Sequence, residues 1–264
     1  MATTTNLLAV SVGNTRTRVG AFAGNDLTRS ATIENAKPQE LRDAVVEAAQ
    51  AFAGGEGYSA VISSVNRAVS ERLLKALDGR LQAAFLHIER DVPVPIGRQL
   101  DPEAIVGEDR LLCAAAAYKV LQQACVVVDA GTAVTVDFVD GAGTFHGGAI
   151  APGGQLQMES LQAGTDQLPD ADFEKPVEVP GHNTVEAMRA GVYAGIRGLV
   201  HELTESYAEL AGAFPLVVAT GGDAGMLFKD DERVDRVVPD LVLAGIHLAW
   251  TTMVAAAERD AEDA

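Results

Sequence analysis

Twice in this chain an apolar run ends in a small polar residue, a glycine and a threonine. The first copy is Ala9-Val10-Ser11-Val12-Gly13-Asn14-Thr15-Arg16-Thr17. The second, 118 residues on, is Val127-Val128-Asp129-Ala130-Gly131-Thr132-Ala133-Val134-Thr135. Each reads as a buried strand, a polar strand end, a Gly turn and a return strand that carries Thr. Glycine lets the backbone turn tightly and approach a ligand closely. The N–H groups of such a turn, with Asn or Thr side chains, cradle phosphate oxygens, and a carboxylate at the strand end can hold Mg²⁺ through water. Two copies facing across a cleft would clamp a nucleotide triphosphate from both sides. The competing reading is two unrelated hairpins with ordinary turn residues. The duplication favours the first.

Other chemistries lack their residues. No Gly-x-x-x-x-Gly-Lys-Ser/Thr loop, Gly-x-Gly-x-x-Gly turn or Gly-x-Ser-x-Gly elbow occurs. The five His are scattered without metal-ligand spacing. Cys113 and Cys125 lie in apolar surroundings and read as buried thiols in a reducing compartment.

The elements that must position the two turns follow from periodicity. Leu7–Gly13 and Arg16–Phe22 read as a hairpin, with a turn at Gly24-Asn25-Asp26. A helix over Pro38–Ala53 buries Leu41, Val45, Val46 and Ala49. A strand at Tyr58–Val65, a helix at Val69–Leu77 and a strand at Ala84–Ile88 precede a Pro-containing stretch, Val92–Pro102. An Ala-rich helix follows over Ala104–Gln122. The pattern then restarts with strands at Ala124–Gly131, Val134–Val139 and Thr144–Ile150. A helix over Thr184–Leu210 turns Ala187, Gly191, Ile196 and Leu199 inward. A strand at Leu216–Thr220 leads into Gly221-Gly222-Asp223, and Leu241–Ala257 closes the chain as a helix. No low-complexity linker separates the halves, read as 1–118 and 119–264.

Composition bounds the answer. The chain has 264 residues, 48% of them apolar, enough for a sizeable core. Twenty basic residues against 37 acidic ones leave a net charge of −17, which repels a phosphate backbone and argues against nucleic acid as a partner. Only five of the basic residues are Lys. The apolar stretch Ala244–Ala257 is short for a membrane span and is interrupted by His247, Thr251 and Thr252, so no membrane is expected. Met-Ala-Thr-Thr-Thr-Asn at the start has no basic segment before Leu7. It is not read as a signal peptide, and the cytoplasm is the default.

The duplicated strand–Gly–Thr hairpin resembles the actin, Hsp70 and sugar-kinase superfamily. Five segments in order resemble type III pantothenate kinase: Val12-Gly13-Asn14-Thr15, Gly107-Glu108-Asp109-Arg110, Asp129-Ala130-Gly131-Thr132-Ala133, Gly147 to Gly153, and Asn183-Thr184 ahead of Ala187-Met188 and Gly191. The resemblance implies an α/β fold of two tandem ribonuclease-H-like (actin-like ATPase) domains with a nucleotide cleft between them. It implies ATP-dependent phosphorylation of pantothenate in the cytoplasm, the first step toward coenzyme A, by a homodimer with its pantothenate pocket near the subunit interface. Asp109 matches the catalytic base, whose carboxylate must reach the attacking hydroxyl. Read on its own residues, Asp109 would only stabilise the first turn of a helix. Gly107, Arg110 and Thr184 match substrate contacts. Arg110 could pair with the pantothenate carboxylate, and Thr184 could also act as an N-cap. Ser11, Gly13, Asn14, Thr15, Gly131 and Thr132 match the phosphate-binding turns, and Gly221 and Gly222 the border of the adenine or ribose. Asp129 matches the site for Mg²⁺ or a monovalent cation, K⁺ or NH₄⁺. His146 reads as a loop residue.

Two departures stand out. The family carries Asp where this chain has Ser11, so metal binding would rest more heavily on Asp129 and the phosphates. It also carries a pocket Tyr before Gly107, where this chain reads Ile96-Gly97-Arg98-Gln99-Leu100-Asp101-Pro102. Two alternatives stay open on the residues alone: a nucleotide-binding relative with impaired catalysis, and a kinase of the same fold acting on another small hydroxyl substrate.

Overall fold

A computed structural model describes residues 6–53 and 57–262. Met1–Thr5, on which the signal-peptide reading rests, lie outside them. Contacts divide the chain into two compact units. One is Met1–Ile96 with Ile105–Ala116 and Asp240–Ala264. The other is Gly97–Ala104 with Ala117–Pro239.

The first unit holds a sheet of β1 (Asn6–Val12), β2 (Arg16–Ala23), β3 (Asp26–Glu34), β4 (Ser59–Ser64) and β5 (Phe85–His87) in the order β3-β2-β1-β4-β5. β1, β2 and β3 form an antiparallel meander, whereas β4 runs parallel to β1 and β5 parallel to β4. Alternation along β1 sends Leu8, Val10 and Val12 into a core with Leu41, Val45 and Ala48 of α1 (Pro38–Gln50) and Leu73 of α2 (Arg67–Leu77). Val46 is only half-buried, and Ala48 takes the inward position instead. Pro38 starts α1, where a missing N–H costs nothing. The side chain of Asn66 accepts from the Val69 N–H to cap α2.

The first unit also holds the start of α3 (Glu108–Leu121) and α7 (Leu241–Glu262). α3 begins four residues later than its Ala-rich composition suggests, at Glu108 rather than Ala104. α7 is long and apolar enough to cross a membrane by length and composition, unlike the shorter stretch read from the sequence. Leu241, Val242, Leu243, Ile246, Ala249 and Trp250 are nevertheless buried, and α7 packs on β1, β2 and β4. A Cβ on Gly245 would overlap the Leu112 carbonyl of α3, and His247 stacks on Phe22 with ring centroids 4.5 Å apart. The first half of α7 thus packs as a core helix, and the residues after Trp250 are half-buried or exposed.

The second unit repeats the plan with β7 (Cys125–Ala130), β8 (Ala133–Val139), β9 (Thr144–Pro152), β10 (Leu216–Thr220) and β11 (Arg236–Val237). The short β6 (Gly97–Arg98) adds to the β9 edge, giving β11-β10-β7-β8-β9-β6. Apart from β6, the order and the strand directions are those of the first sheet. Both sheets therefore have the ribonuclease-H-like arrangement that the resemblance implies. α4 (Gly154–Ala163), α5 (Thr184–Ala211) and α6 (Ala224–Phe228) complete the unit. α5 buries Met188, Val192, Ile196, Val200 and Thr204, whereas Ala187 and Gly191 are exposed and Leu199 is half-buried. Ile196 is inward as expected, but on either side of it Met188, Val192 and Val200 replace Ala187, Gly191 and Leu199, because the larger side chains at the four-residue spacing take the core.

Candidate active site

In the first unit the strand-end turn is a cage of hydrogen bonds. Ser11 is buried and lies beside Arg18 of β2 and Ser63 of β4 in register. The Gly13 N–H donates to the Arg16 carbonyl at 3.0 Å. Gly13 does not have positive φ. Its glycine is required because a Cβ would lie 2.8 Å from the Arg16 carbonyl oxygen. Asn14 and Thr15 are exposed at the tip. Behind them is Asn35, a buried residue that no sequence motif marks. Its Nδ2 donates to the carbonyls of Gly13 at 2.8 Å and Asn14 at 3.1 Å, and its Oδ1 accepts from Thr17 Oγ1 at 2.7 Å.

The second turn has one residue fewer. Gly131 N–H donates to the Ala133 carbonyl at 3.0 Å, and Asp129 pairs with Thr135 where Ser11 pairs with Arg18. Thr135 therefore corresponds to Arg18 and not, as the constant sequence offset implied, to Thr17. Thr132 is the counterpart of Thr15, since each offers its carbonyl to a backbone N–H, from Gly153 at 3.0 Å and from Asn35 at 2.8 Å. A Cβ on Gly131 would meet nothing closer than Asp129 Oδ1, at 3.5 Å, so this glycine leaves room beside the carboxylate. Gly221 follows β10 with φ of 101°, and a Cβ there would overlap the Ala130 carbonyl and lie 2.5 Å from Asp129 Oδ1. Gly222 is exposed next to it. Asp129, Gly131, Thr132, Gly221 and Gly222 are thus gathered at one strand end of the second sheet.

No group of three or more His, Cys, Asp or Glu that could hold a metal occurs among the described residues. One carboxylate flanked by glycines that add no side chain beside it still suits Mg²⁺, which keeps most of its waters and is commonly bound through one or two carboxylates and substrate phosphates. Asp129 fits that requirement.

Gly107, Glu108, Asp109 and Arg110 form the head of α3, in the first unit with the Asn14 turn. Glu108 is the anchor, and the motif did not single it out. Its carboxylate accepts from Ser63 Oγ at 2.9 Å and from the Ser64 N–H at 3.0 Å. Burial raises its pKa above the ordinary carboxylate range, against the pull of those two bonds and with added repulsion from Glu89 and Asp109. Asp109 Oδ1 accepts from the Arg110 N–H at 2.9 Å. Burial also raises its pKa, against the opposing effects of that N–H and the Arg110 charge. A Cβ on Gly107 would lie 2.5 Å from Asp109 Oδ1, so only glycine admits this carboxylate position. Ser64 leads into Val65 and Asn66. The Val65 N–H donates to the Val12 carbonyl at 3.0 Å, and Asn66 Nδ2 to the Asn14 carbonyl at 3.3 Å. One hydrogen-bonded path therefore joins the Asn14 turn to the head of α3.

Thr184 stands apart on the first turn of α5, exposed. The N-cap is Asn183, whose side chain accepts from the Glu186 N–H at 3.0 Å, not Thr184. Thr184 lines a groove of about 650 Å³ with Pro152, Gln157, Leu161, Leu168 and Met188. Pro152 immediately precedes Gly153, which braces Thr132. His146 lies within β9 rather than in a loop, with Nε2 2.8 Å from Asp140 Oδ2 and its ring against Phe138. Cys113 and Cys125 are buried and form no disulfide, and burial pushes the Cys125 thiol up to about 12.

Solved structures place this fold in a class. A Campylobacter jejuni protein described as a Baf family transcriptional activator matches with a TM-score of 0.61 at 20% identity, covering 94% of this chain and 99% of that one. MreB 5 of Spiroplasma citri, solved with AMPPNP bound, matches with a TM-score of 0.52 at 12% identity, covering 97% and 98%. At such identities the likeness concerns the fold alone, which is of the actin-like ATPase type. Sequence narrows the class. Residues 7–206 match the family model for type III pantothenate kinase. A type III pantothenate kinase of Dehalococcoides mccartyi is 32% identical over 253 residues, 92% of this chain and 96% of its own. One from Rhodopirellula baltica is 47% identical over 180 residues, 64% and 63% of the two chains. The chain belongs to the type III pantothenate kinase family.

Proposed function

We propose that this chain transfers the γ-phosphoryl group of ATP to the primary hydroxyl of pantothenate, giving 4′-phosphopantothenate and ADP. The observation that carries the reading is the head of α3. There Gly107 leaves space for the Asp109 carboxylate, and Glu108 ties it to the end of β4, the neighbour of β1, whose end bears the Asn14 turn. Asp109 orients the pantothenate hydroxyl and accepts its proton as the new O–P bond forms and the bond from the γ-phosphorus to ADP breaks. Burial brings its basicity closer to what a neutral-pH base needs. Arg110 pairs with the pantothenate carboxylate, and Gly107 and Thr184 complete the substrate contacts.

Ser11, Gly13, Asn14 and Thr15 in the first unit, and Gly131 and Thr132 in the second, contact the triphosphate. Gly221 and Gly222 border the nucleoside. Asp129 would hold Mg²⁺, which would supply positive charge against the triphosphate, and K⁺ or NH₄⁺ would serve as monovalent cation. The enzyme works in the cytoplasm as a homodimer of two tandem domains, with Asp240–Ala264 counted with the first, and with no nucleic-acid or membrane partner. The groove at Thr184 supports a pantothenate site near the partner subunit.

The test is coupled ADP release from the purified chain with Mg-ATP, with and without pantothenate, in the presence of K⁺ or NH₄⁺. Pantothenate-dependent turnover is expected. Folded protein that releases ADP at the same rate with and without pantothenate would overturn the assignment.

A further inference from the structure

We propose that Asn35 is a positioning residue for ATP binding: its carboxamide turns the carbonyls of the Asn14 turn inward so that the turn's N–H groups face the phosphates. This inference rests on the proposed role of that turn in holding ATP. Both Nδ2 hydrogens are used on successive carbonyls, those of Gly13 and Asn14, and Oδ1 is satisfied by Thr17. The backbone N–H of Asn35 takes the third carbonyl, that of Thr15, at 2.8 Å. In a planar trans peptide the C=O and the following N–H point in opposite directions. Three carbonyls drawn toward Asn35 therefore direct the N–H groups of Asn14, Thr15 and Arg16 away from it, on the exposed side of the turn. Successive N–H groups converging in this way make an anion-binding concavity.

The second sheet supplies an internal control. Gly153 occupies the position equivalent to Asn35, one residue past the third strand of its meander, and its N–H makes the equivalent bond to Thr132. There the turn is one residue shorter and settles onto Gly153 so closely that a Cβ would overlap the Gly131 carbonyl. The first turn holds the additional residue, and the space it opens is filled by the Asn35 amide. Asn66 Nδ2 adds a second donor to the Asn14 carbonyl. The longer turn and the buried amide behind it form one device for fixing the backbone before ATP arrives. Pre-set donors of this kind contribute to affinity because no ordering cost remains to be met on binding.

The experiment measures dissociation constants for ATP and for adenosine by calorimetry on the full chain, for wild type, Asn35→Ala and Asn14→Pro. Asn14→Pro deletes one of the N–H groups outright. Both variants should weaken ATP binding roughly tenfold while adenosine stays within about twofold, since only phosphate contacts are lost. Loss confined to Asn14→Pro overturns the role of Asn35 and leaves the phosphate turn standing. No ATP loss in either variant overturns the phosphate turn itself. Equal loss of ATP and adenosine in Asn35→Ala means general loosening, and also overturns the positioning role. If Asn35→Ala does not fold, Asn35→Asp keeps the size of the side chain and the bond from Thr17 but sets a carboxylate against two carbonyls. It should show the same selective loss of ATP, and unchanged ATP affinity in that variant refutes the proposal.

Discussion

Glu108→Ala tests whether the head of α3 is held by its anchor. The carboxylate accepts two hydrogen bonds, from a serine hydroxyl that is 1% exposed and from a backbone N–H. Ser63 Oγ can rotate toward another acceptor, but the Ser64 N–H is fixed by the backbone. Leaving such a donor unsatisfied costs about 1–3 kcal/mol. Relief of the burial penalty on the Glu108 charge offsets part of this, so a net loss of about 2 kcal/mol is expected. For a chain of this size that corresponds to a fall in Tm of roughly 4–8 °C. Asp109 is the next residue, and a shift of about 1 Å in a reacting group can cost on the order of 100-fold. The kcat should therefore fall roughly 10–100-fold below the variant's Tm.

Glu108→Gln separates charge from geometry, because its amide oxygen still accepts both bonds. Burial raises the Glu108 pKa in the folded chain. The folded state thus holds this proton more tightly than the unfolded one, and stability falls as pH rises from the ordinary carboxylate range through the raised value. Glu108→Gln should flatten that slope, match or exceed wild-type stability at neutral pH and recover most of kcat. Calorimetric melting across pH, with steady-state kinetics alongside, reads all three. Wild-type Tm and kcat in Glu108→Ala would refute the anchor.

Asp109→Asn should lower kcat by about 10²–10⁴ with ATP affinity retained, and should raise Tm at neutral pH because the buried charge is gone; full pantothenate phosphorylation by this variant would remove Asp109 as the base. Ser11→Asp places a second carboxylate beside the Ser63–Glu108 pair, and should cost about 1–3 kcal/mol in urea unfolding without raising turnover. A sharp rise in turnover would instead mark Ser11 as the lesion of an impaired relative. Asp231→Ala removes the buried partner of Arg197, 2.9 Å away, and of His201, 2.8 Å away; with Arg197 partly in solvent the loss should be about 2–4 kcal/mol. Burial alone would raise the Asp231 pKa, but Arg197, the Arg233 N–H and His201 outweigh it and the net shift is downward. Its stabilisation is therefore present above the ordinary carboxylate range and is lost as pH falls through the lowered value. The gap between this variant and wild type in urea unfolding should close in acid, and a gap independent of pH would refute the ion pair.

Local signals carried far in this protein. The strand ends near Val12 and Ala130 and the Gly turns that follow them are written in adjacent residues, where the physics spans only a few bonds, although the cap of α5 fell on Asn183 and not on Thr184. The turn motifs were legible for the same reason, whereas Gly107–Arg110 was marked only by the family resemblance, since on its own residues Asp109 reads as a helix-start carboxylate. Where an element makes little use of apolar periodicity, reading failed. β3 is an exposed edge strand, and α4 buries little beyond Gly154 and Met158, so neither has an apolar rhythm to detect.

Tertiary structure alone decided the rest. Asn35 lies about twenty residues from the carbonyls it holds, and Glu108 is 45 residues from Ser63. Neither bond leaves a trace in local sequence, because a side chain that satisfies a distant backbone group has no periodicity and no motif. The face α5 buries and the return of α7 to the first sheet depend on which side chains find a complementary surface. The register of β8 against β7 revealed that the two turns differ by one residue, while the constant offset between their sequences concealed it. Residue types set what each turn could bind. Packing across the sheets set which backbone groups were left pointing outward to bind it.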